Sequence, residues 1–228
     1  MNQQTLKELV GENLAARVKD GDILGVGSGT TVTAAVKAIG KKVKNEGILI
    51  SAVPTSFQIA ELCQECGIHV LPLEDSRYLS WGFDGADGVD SDLRLIKGKG
   101  GALVKEKIIA ARCKELIIIV DESKIFSNLA DACAVPVELL PAAWKTVTDA
   151  LKSLGALDVE RRQIKMFDKD FFYYTENGNI IFDAKFDNIS NELEREINLI
   201  PGVVDNGIFT KFATEILVSS EKGIKVLK

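Results

Sequence analysis

Residues 22–39 read DILGVGSGTTVTAAVKAI, and this stretch decides the fold. The apolar run 22–26 predicts a strand, and apolar residues at helical spacing predict a helix over 31–39. Between them lies Gly25-Val26-Gly27-Ser28-Gly29-Thr30-Thr31. Glycines let a backbone turn tightly and approach a ligand. A helix start offers unpaired N–H groups and a partial positive charge, to which the hydroxyls of Ser28, Thr30 and Thr31 add. Such a turn suits a phosphate, or is simply a tight turn. It is not a Walker loop, because no Gly-Lys-Ser/Thr follows, and the third glycine of GxGxxG is missing.

Outward from this unit the alternation continues. Strands are predicted at 48–53, 68–71 and 79–83, with a helix at 56–66. A helix over 102–113 precedes the wholly apolar strand ELIIIV at 115–120. Continuous apolar strands between helices imply a mostly parallel sheet covered on both faces, a doubly wound α/β core. After about residue 129 the pattern changes. A strand at 135–139, a helix at 142–154 behind Pro141, strands at 159–163 and 180–183, and a helix at 190–198 resemble a small α+β unit of split βαβ, ferredoxin-like type. Strands at 203–209, 215–219 and 224–227 close the chain and are expected to return to the first domain. The expected division is therefore 1–128 with 206–228, and 129–205.

Composition excludes several classes. The 228 residues carry a net charge of −5 with no lysine- or arginine-rich block, which disfavours nucleic acid. There is no signal-peptide pattern at the N-terminus and no apolar run long enough for a membrane span. Four cysteines make no disulfide framework, so a reducing cytosol is expected. Cys63 and Cys66 form a CxxC pair at a predicted helix end, whereas redox pairs sit at helix starts. They read as buried helix cysteines. The one histidine, His69, falls within a predicted strand and reads as structural.

Three further loops follow strand ends, where open α/β sheets bind ligands. Asp84-Gly85-Ala86-Asp87 can turn two carboxylates toward one concave site, to hold sugar hydroxyls or position a proton. Asp90 and Asp92 extend the acidic run without calcium-loop spacing. Lys97-Gly98-Lys99-Gly100-Gly101-Ala102 makes a second anion-type turn, and the helix it feeds carries Glu106. Asp121-Glu122-Ser123-Lys124 puts a lysine just past the apolar strand. Each of these, alone, also reads as a solvated loop or helix face.

Together, GVGSGTT (25–31), SAVPTS (51–56), DGAD (84–87), KGKGGALVKEK (97–107), DESK (121–124), PVE (136–138) and PGVVDNGIF (201–209) resemble the type A ribose-5-phosphate isomerase family over almost the whole chain. The resemblance implies an aldose–ketose isomerase of the non-oxidative pentose phosphate pathway, interconverting D-ribose 5-phosphate and D-ribulose 5-phosphate through a cis-enediolate. It implies no metal and no cofactor, a cytoplasmic location, and a homodimer or homotetramer whose small domain serves assembly or acts as a lid. By the same resemblance Glu106 matches the general base, and Lys97 the lysine that stabilises negative charge. Asp84 and Asp87 match carboxylates that hold hydroxyls and assist ring opening. Ser28, Gly29, Thr30 and Thr31 match a substrate-binding turn, with Gly85, Ala86, Gly98, Lys99 and Gly100 beside the substrate. Lys124 and, more weakly, Lys7 match phosphate contacts. The chemistry is consistent, since a C–H beside a carbonyl is weakly acidic and a carboxylate base needs charge stabilisation at the oxygen. Lys99 departs from the family's run of small residues, either facing solvent or adding charge.

Two rivals are weighed. A sugar-phosphate-sensing regulator would carry a helix-turn-helix, for which only about 20 residues precede Asp22. An amino-sugar phosphate deaminase or a CoA transferase of related fold would need a working histidine or a glutamate nucleophile on a different loop.

Overall fold

A computed structural model describes residues 3–166 and 168–228. In chain order these form α1 (Gln3–Arg17), β1 (Ile23–Val26), α2 (Thr30–Glu46), β2 (Ser51–Pro54), α3 (Phe57–Glu65), β3 (His69–Val70), β4 (Trp81–Asp84), β5 (Gly88–Val89), β6 (Leu95–Ile96), α4 (Leu103–Arg112) and β7 (Leu116–Asp121). There follow β8 (Val135–Leu139), α5 (Trp144–Ser153), β9 (Asp158–Arg161), β10 (Gln163–Met166), β11 (Lys169–Phe172), β12 (Ile180–Lys185), α6 (Leu193–Asn198), β13 (Val203–Asn206), β14 (Ile208–Phe209), β15 (Glu215–Ser220) and β16 (Gly223–Leu227). They fall into two compact units. The first holds the chain up to Ala86 with Lys105–Ile125 and Lys211–Lys228, and the second Asp87–Val104 with Phe126–Thr210.

The first unit is built on a seven-stranded sheet of order β16-β15-β7-β4-β1-β2-β3. All its pairings are parallel except β15 with β16. β7 (LIIIVD) lies inside the sheet with its first five residues buried, which is why it reads as a continuous apolar run. The outer helices show their packing face by spacing. In α2 the buried residues are Val32, Ala35, Val36, Ile39, Gly40 and Val43, a single stripe at period 3.6. That helix ends at Gly47, whose φ of 68° allows its N–H to bond the Val43 carbonyl. α3 starts at Ser56, whose side chain accepts from the Ile59 N–H.

The strand order places the chemistry. From β1 the chain proceeds to β2 and β3 on one side, while β4, β7 and β15 lie on the other. The order of strand addition therefore reverses between β1 and β4, and the loops after these two parallel strands flank that switch point.

The second unit contains a four-stranded antiparallel sheet of order β13-β8-β12-β9. With α5 after β8 and α6 after β12, this is the split βαβ, ferredoxin-like arrangement. Its core gathers Val137, Leu139, Val147, Leu151, Phe182 and Ile197. A small three-stranded sheet, β14-β6-β5, completes it.

Two features depart from the sequence reading. Residues 87–104 group with the second unit rather than with 1–128. Residues 203–209 do not close the first domain as one strand. β13 pairs with β8, and β14 pairs with β6 in the small sheet. The break falls at Gly207, where a Cβ would stand 2.2 Å from the Lys97 carbonyl oxygen, so only glycine lets the backbone cross there. Among the described residues no helix is long and apolar enough to cross a membrane.

Candidate active site

In the first unit the site is organised by Asp84, the last residue of β4, which is 4% exposed. Its Oδ1 accepts from the Gly85 N–H at 2.7 Å and from the Ser28 N–H at 3.1 Å. The carboxylate lies against Gly27, where a Cβ would stand 2.0 Å from Oδ1 and from Cγ. The glycine seen in the sequence as a turn former is thus required by the neighbouring acid. The Gly27 N–H bonds the Phe83 carbonyl at 2.9 Å, which stitches the two loops together at their roots.

Next in the turn, the Ser28 hydroxyl donates to Glu106 Oε1 at 2.6 Å. Glu106 is buried in the first turn of α4. That helix approaches β1 and β4 closely because both carry glycine there. A Cβ on Gly25 would meet Ile109 Cγ2 at 2.6 Å, and one on Gly82 would meet Cys113 Sγ at 2.5 Å. Glycines in two strands let the helix carrying Glu106 settle onto the switch point.

Gly29 has φ of 104° and opens α2 with no side-chain cap bond and no acid in the first turn. The dipole and N–H groups of that helix start remain available to an anion. Lys7, on α1, donates from Nζ to Thr30 Oγ1 at 2.9 Å, which brings a cation to the same turn. Thr31 follows in the first turn of α2, partly buried. Lys124 ends the short 3-10 turn Glu122–Lys124, whose start is capped by the Asp121 side chain accepting from the Ser123 N–H at 2.9 Å.

In the second unit, Asp87 bonds the Ile96 carbonyl through its N–H, and its Oδ2 accepts from the Lys99 N–H at 3.0 Å. Lys97 is 3% exposed, with its N–H on the Gly207 carbonyl at 2.9 Å and its ammonium 5.6 Å from the centroid of Phe209. The turn after it closes through the Gly101 N–H to the Gly98 carbonyl at 3.0 Å. Lys99 and Gly100 lie exposed on that turn.

Thus Ser28, Gly29, Thr30, Lys7, Asp84, Gly85 and Glu106 are brought together in one unit, and Asp87, Lys97, Gly98 and Lys99 in the other. The sequence reading missed Arg162, Tyr173 and Asp183, which hold the Lys97 turn from positions more than 60 residues away. No local signal marks them. It also missed the packing of Cys113 on Gly82. Cys63 and Cys113 are thiols whose burial pushes their pKa up to about 12, the character of packing residues.

A buried carboxylate hydrogen-bonded to a hydroxyl, beside a second carboxylate and an uncapped helix start, suits proton transfer on a polar, anionic substrate. Comparison with known proteins agrees. The family model for ribose 5-phosphate isomerase A (phosphoriboisomerase A) matches residues 51–223. The ribose-5-phosphate isomerase A of Thermococcus kodakarensis is 40% identical, over 99% of this chain and 98% of that protein. The solved ribose 5-phosphate isomerase A of Methanocaldococcus jannaschii superposes with a TM-score of 0.91 at 37% identity, covering all of both chains. A D-ribose-5-phosphate isomerase in complex with phospho-erythronic acid superposes at 0.93 with 36% identity, again covering 100% of both chains. With a family match over most of its length and relatives aligned end to end, the chain belongs to the ribose 5-phosphate isomerase A family.

Proposed function

We propose that this chain interconverts D-ribose 5-phosphate and D-ribulose 5-phosphate, with Glu106 as the base that carries a proton between C2 and C1. The observation that carries this reading is the buried Glu106 carboxylate, 2.6 Å from the Ser28 hydroxyl in the turn that Asp84 pins. On the open-chain aldose, Glu106 takes the C2 proton as the carbonyl oxygen gains negative charge, giving a cis-enediolate. It then returns the proton to C1 while the hydroxyl proton on O2 passes to the O1 oxyanion, leaving a hydroxyl at C1 and the ketone at C2. The enediolate is where stabilisation must be strongest, and Lys97 supplies positive charge to its oxygens. Asp84 and Asp87 hold sugar hydroxyls and assist opening of the ring.

The phosphate does not react, so gripping it provides orientation. The α2 start with Ser28, Gly29, Thr30 and Thr31, together with Lys7 and Lys124, takes that role. Backbone groups of Gly85, Ala86, Gly98, Lys99 and Gly100 line the sugar. The relative solved with phospho-erythronic acid supports this picture chemically. A planar carboxylate on a phosphorylated four-carbon chain has the shape and charge of the enediolate. The chain works in the cytoplasm as a homodimer or homotetramer, in which the α+β domain serves assembly.

Glu106→Gln keeps the shape of the side chain and removes the base. It is expected to lower kcat by at least about a thousandfold while ribose 5-phosphate still binds, measured by isothermal titration beside the turnover assay. Full turnover in that variant removes Glu106 from the mechanism.

A further inference from the structure

The turn Lys97–Gly101 has two left-handed glycines, Gly98 at φ 99° and Gly101 at φ 83°. Left to itself such a segment samples many conformations. Here its three successive carbonyls are engaged by two side chains of the same unit. Arg162 donates through Nη1 to the Gly98 oxygen at 2.7 Å and to the Lys99 oxygen at 3.1 Å. The Tyr173 hydroxyl reaches the Gly100 oxygen at 3.4 Å. A Cβ on Gly101 would stand 2.0 Å from that hydroxyl, so Tyr173 packs directly on the turn.

Both clamping residues are themselves fixed. Arg162 donates from Nε to Asp183 Oδ2 at 2.9 Å and from Nη2 to Asp183 Oδ1, which locks the plane of the guanidinium. The Arg162 N–H bonds the Ile181 carbonyl at 2.8 Å, and the Tyr173 N–H bonds the Arg162 carbonyl at 3.1 Å. The two therefore stand together at the base of the β10–β11 hairpin. Because Asp183 neutralises Arg162, the clamp organises the turn without itself presenting a net charge to an anion.

We infer that Arg162, oriented by Asp183, and Tyr173 are positioning residues for the isomerisation, acting through the Lys97–Gly101 turn. This rests on the role given to Lys97 above. Stabilisation of a developing oxyanion depends on a cation already in place, and a displacement of about 1 Å costs on the order of a hundredfold in rate. A lysine on a turn with two left-handed glycines needs external bracing, and the hydrogen bonds of Arg162 and Tyr173 are that bracing. Their effect is carried wholly by where the turn stands.

The test is a double-mutant cycle in the full chain, with steady-state ribose 5-phosphate turnover and a thermal melt for every variant. Arg162→Ala is expected to lower kcat by about tenfold to a hundredfold with KM changed by less than about threefold. In a Lys97→Ala background the same substitution is expected to cost less than about threefold in kcat, because its effect on kcat is routed through Lys97. Guanidinium at low millimolar concentration restores part of the kcat of Arg162→Ala and none of the double variant. Should Arg162→Ala melt below assay temperature, Arg162→Lys replaces it. That side chain keeps a cation opposite Asp183 but cannot also span the two carbonyls, and about a tenfold loss is expected. Full kcat in the folded Arg162 variants overturns the inference, as does an equal loss with and without Lys97. Inactive wild-type protein instead overturns the functional reading. Active wild type with an unimpaired Lys97→Ala removes the role of Lys97, and this inference with it.

Discussion

Gly27→Ala is the most informative single substitution in the first unit. The added Cβ would stand 2.0 Å from both Cγ and Oδ1 of Asp84 and 2.6 Å from its Cβ. Asp84 cannot retreat through its backbone, because β4 is paired on both sides, with β1 and with β7. Relief must come from turning the carboxylate away or from pushing out the Gly27–Thr31 turn. Either movement breaks the bonds that Asp84 Oδ1 accepts from Ser28 and Gly85. Hydrogen bonds to a charged group are worth about 1.5–3 kcal/mol each, so losing both is expected to cost about 3–6 kcal/mol in stability. For a chain of this size that corresponds to a fall in Tm of roughly 6–24 °C. Displacing the turn also withdraws Ser28 from Glu106, so kcat/KM is expected to fall by at least about a hundredfold in the fraction still folded.

The control is Gly29→Ala. No atom lies within 4 Å of a Cβ there, and the cost is confined to the φ of 104°. Backbone strain of this kind costs about 1–3 kcal/mol, a smaller stability loss without the collision at Asp84. Calorimetry and a coupled isomerase assay on both variants decide the matter. A Gly27→Ala protein as stable and as active as wild type refutes the packing argument.

Other consequences are as direct. Lys124→Ala is expected to raise KM for ribose 5-phosphate about tenfold with kcat nearly constant, and an unchanged KM argues against a phosphate contact. Glu138 is fully buried, and its Oε1 accepts from Thr175 Oγ1 and from the side-chain amides of Asn177 and Asn179 at 2.8–3.0 Å. Glu138→Ala removes the acceptor of three hydrogen bonds, one of them from the buried Thr175 hydroxyl, and is expected to cost about 3 kcal/mol in a chemical denaturation series while leaving kcat unchanged at 25 °C. A loss below about 1 kcal/mol contradicts that reading. With burial holding the Cys63 and Cys113 thiols near pKa 12, only about one ten-thousandth of each is thiolate at pH 8. Both are expected to resist a disulfide reagent in the native protein and to react in denaturant, and rapid native labelling mapped to Cys63 contradicts this.

How much of this was legible in the sequence depended on the length of each signal. LIIIVD in β7 and the apolar stripe of α2 are long enough to carry a period, and both elements were found, displaced by a residue or extended at one end. β5, β6 and β14 have two residues each and carry no period, so the small sheet was invisible. Without that sheet, the sequence gives no reason to group residues 87–104 with the second unit or to break 203–209 into two strands. Glycines could be seen in the turns, but not what they make room for. Gly27 is explained by Asp84, and Gly25 by Ile109. The bond from Ser28 to Glu106 and the clamp from Arg162 to Gly98 join residues 78 and 64 positions apart, beyond the reach of local spacing.

The central claim is that this chain moves a proton between the first two carbons of an open-chain pentose 5-phosphate. Its most direct test is ribulose 5-phosphate formation from ribose 5-phosphate in deuterium oxide by purified, EDTA-treated protein, with Glu106→Gln alongside. The account predicts ketose carrying deuterium at C1 from the wild type, through exchange of the proton held on Glu106 with solvent before its transfer, and turnover lower by at least about a thousandfold from the variant. A folded wild-type protein that binds ribose 5-phosphate and forms no ketose, or a variant that forms it equally fast, would contradict it.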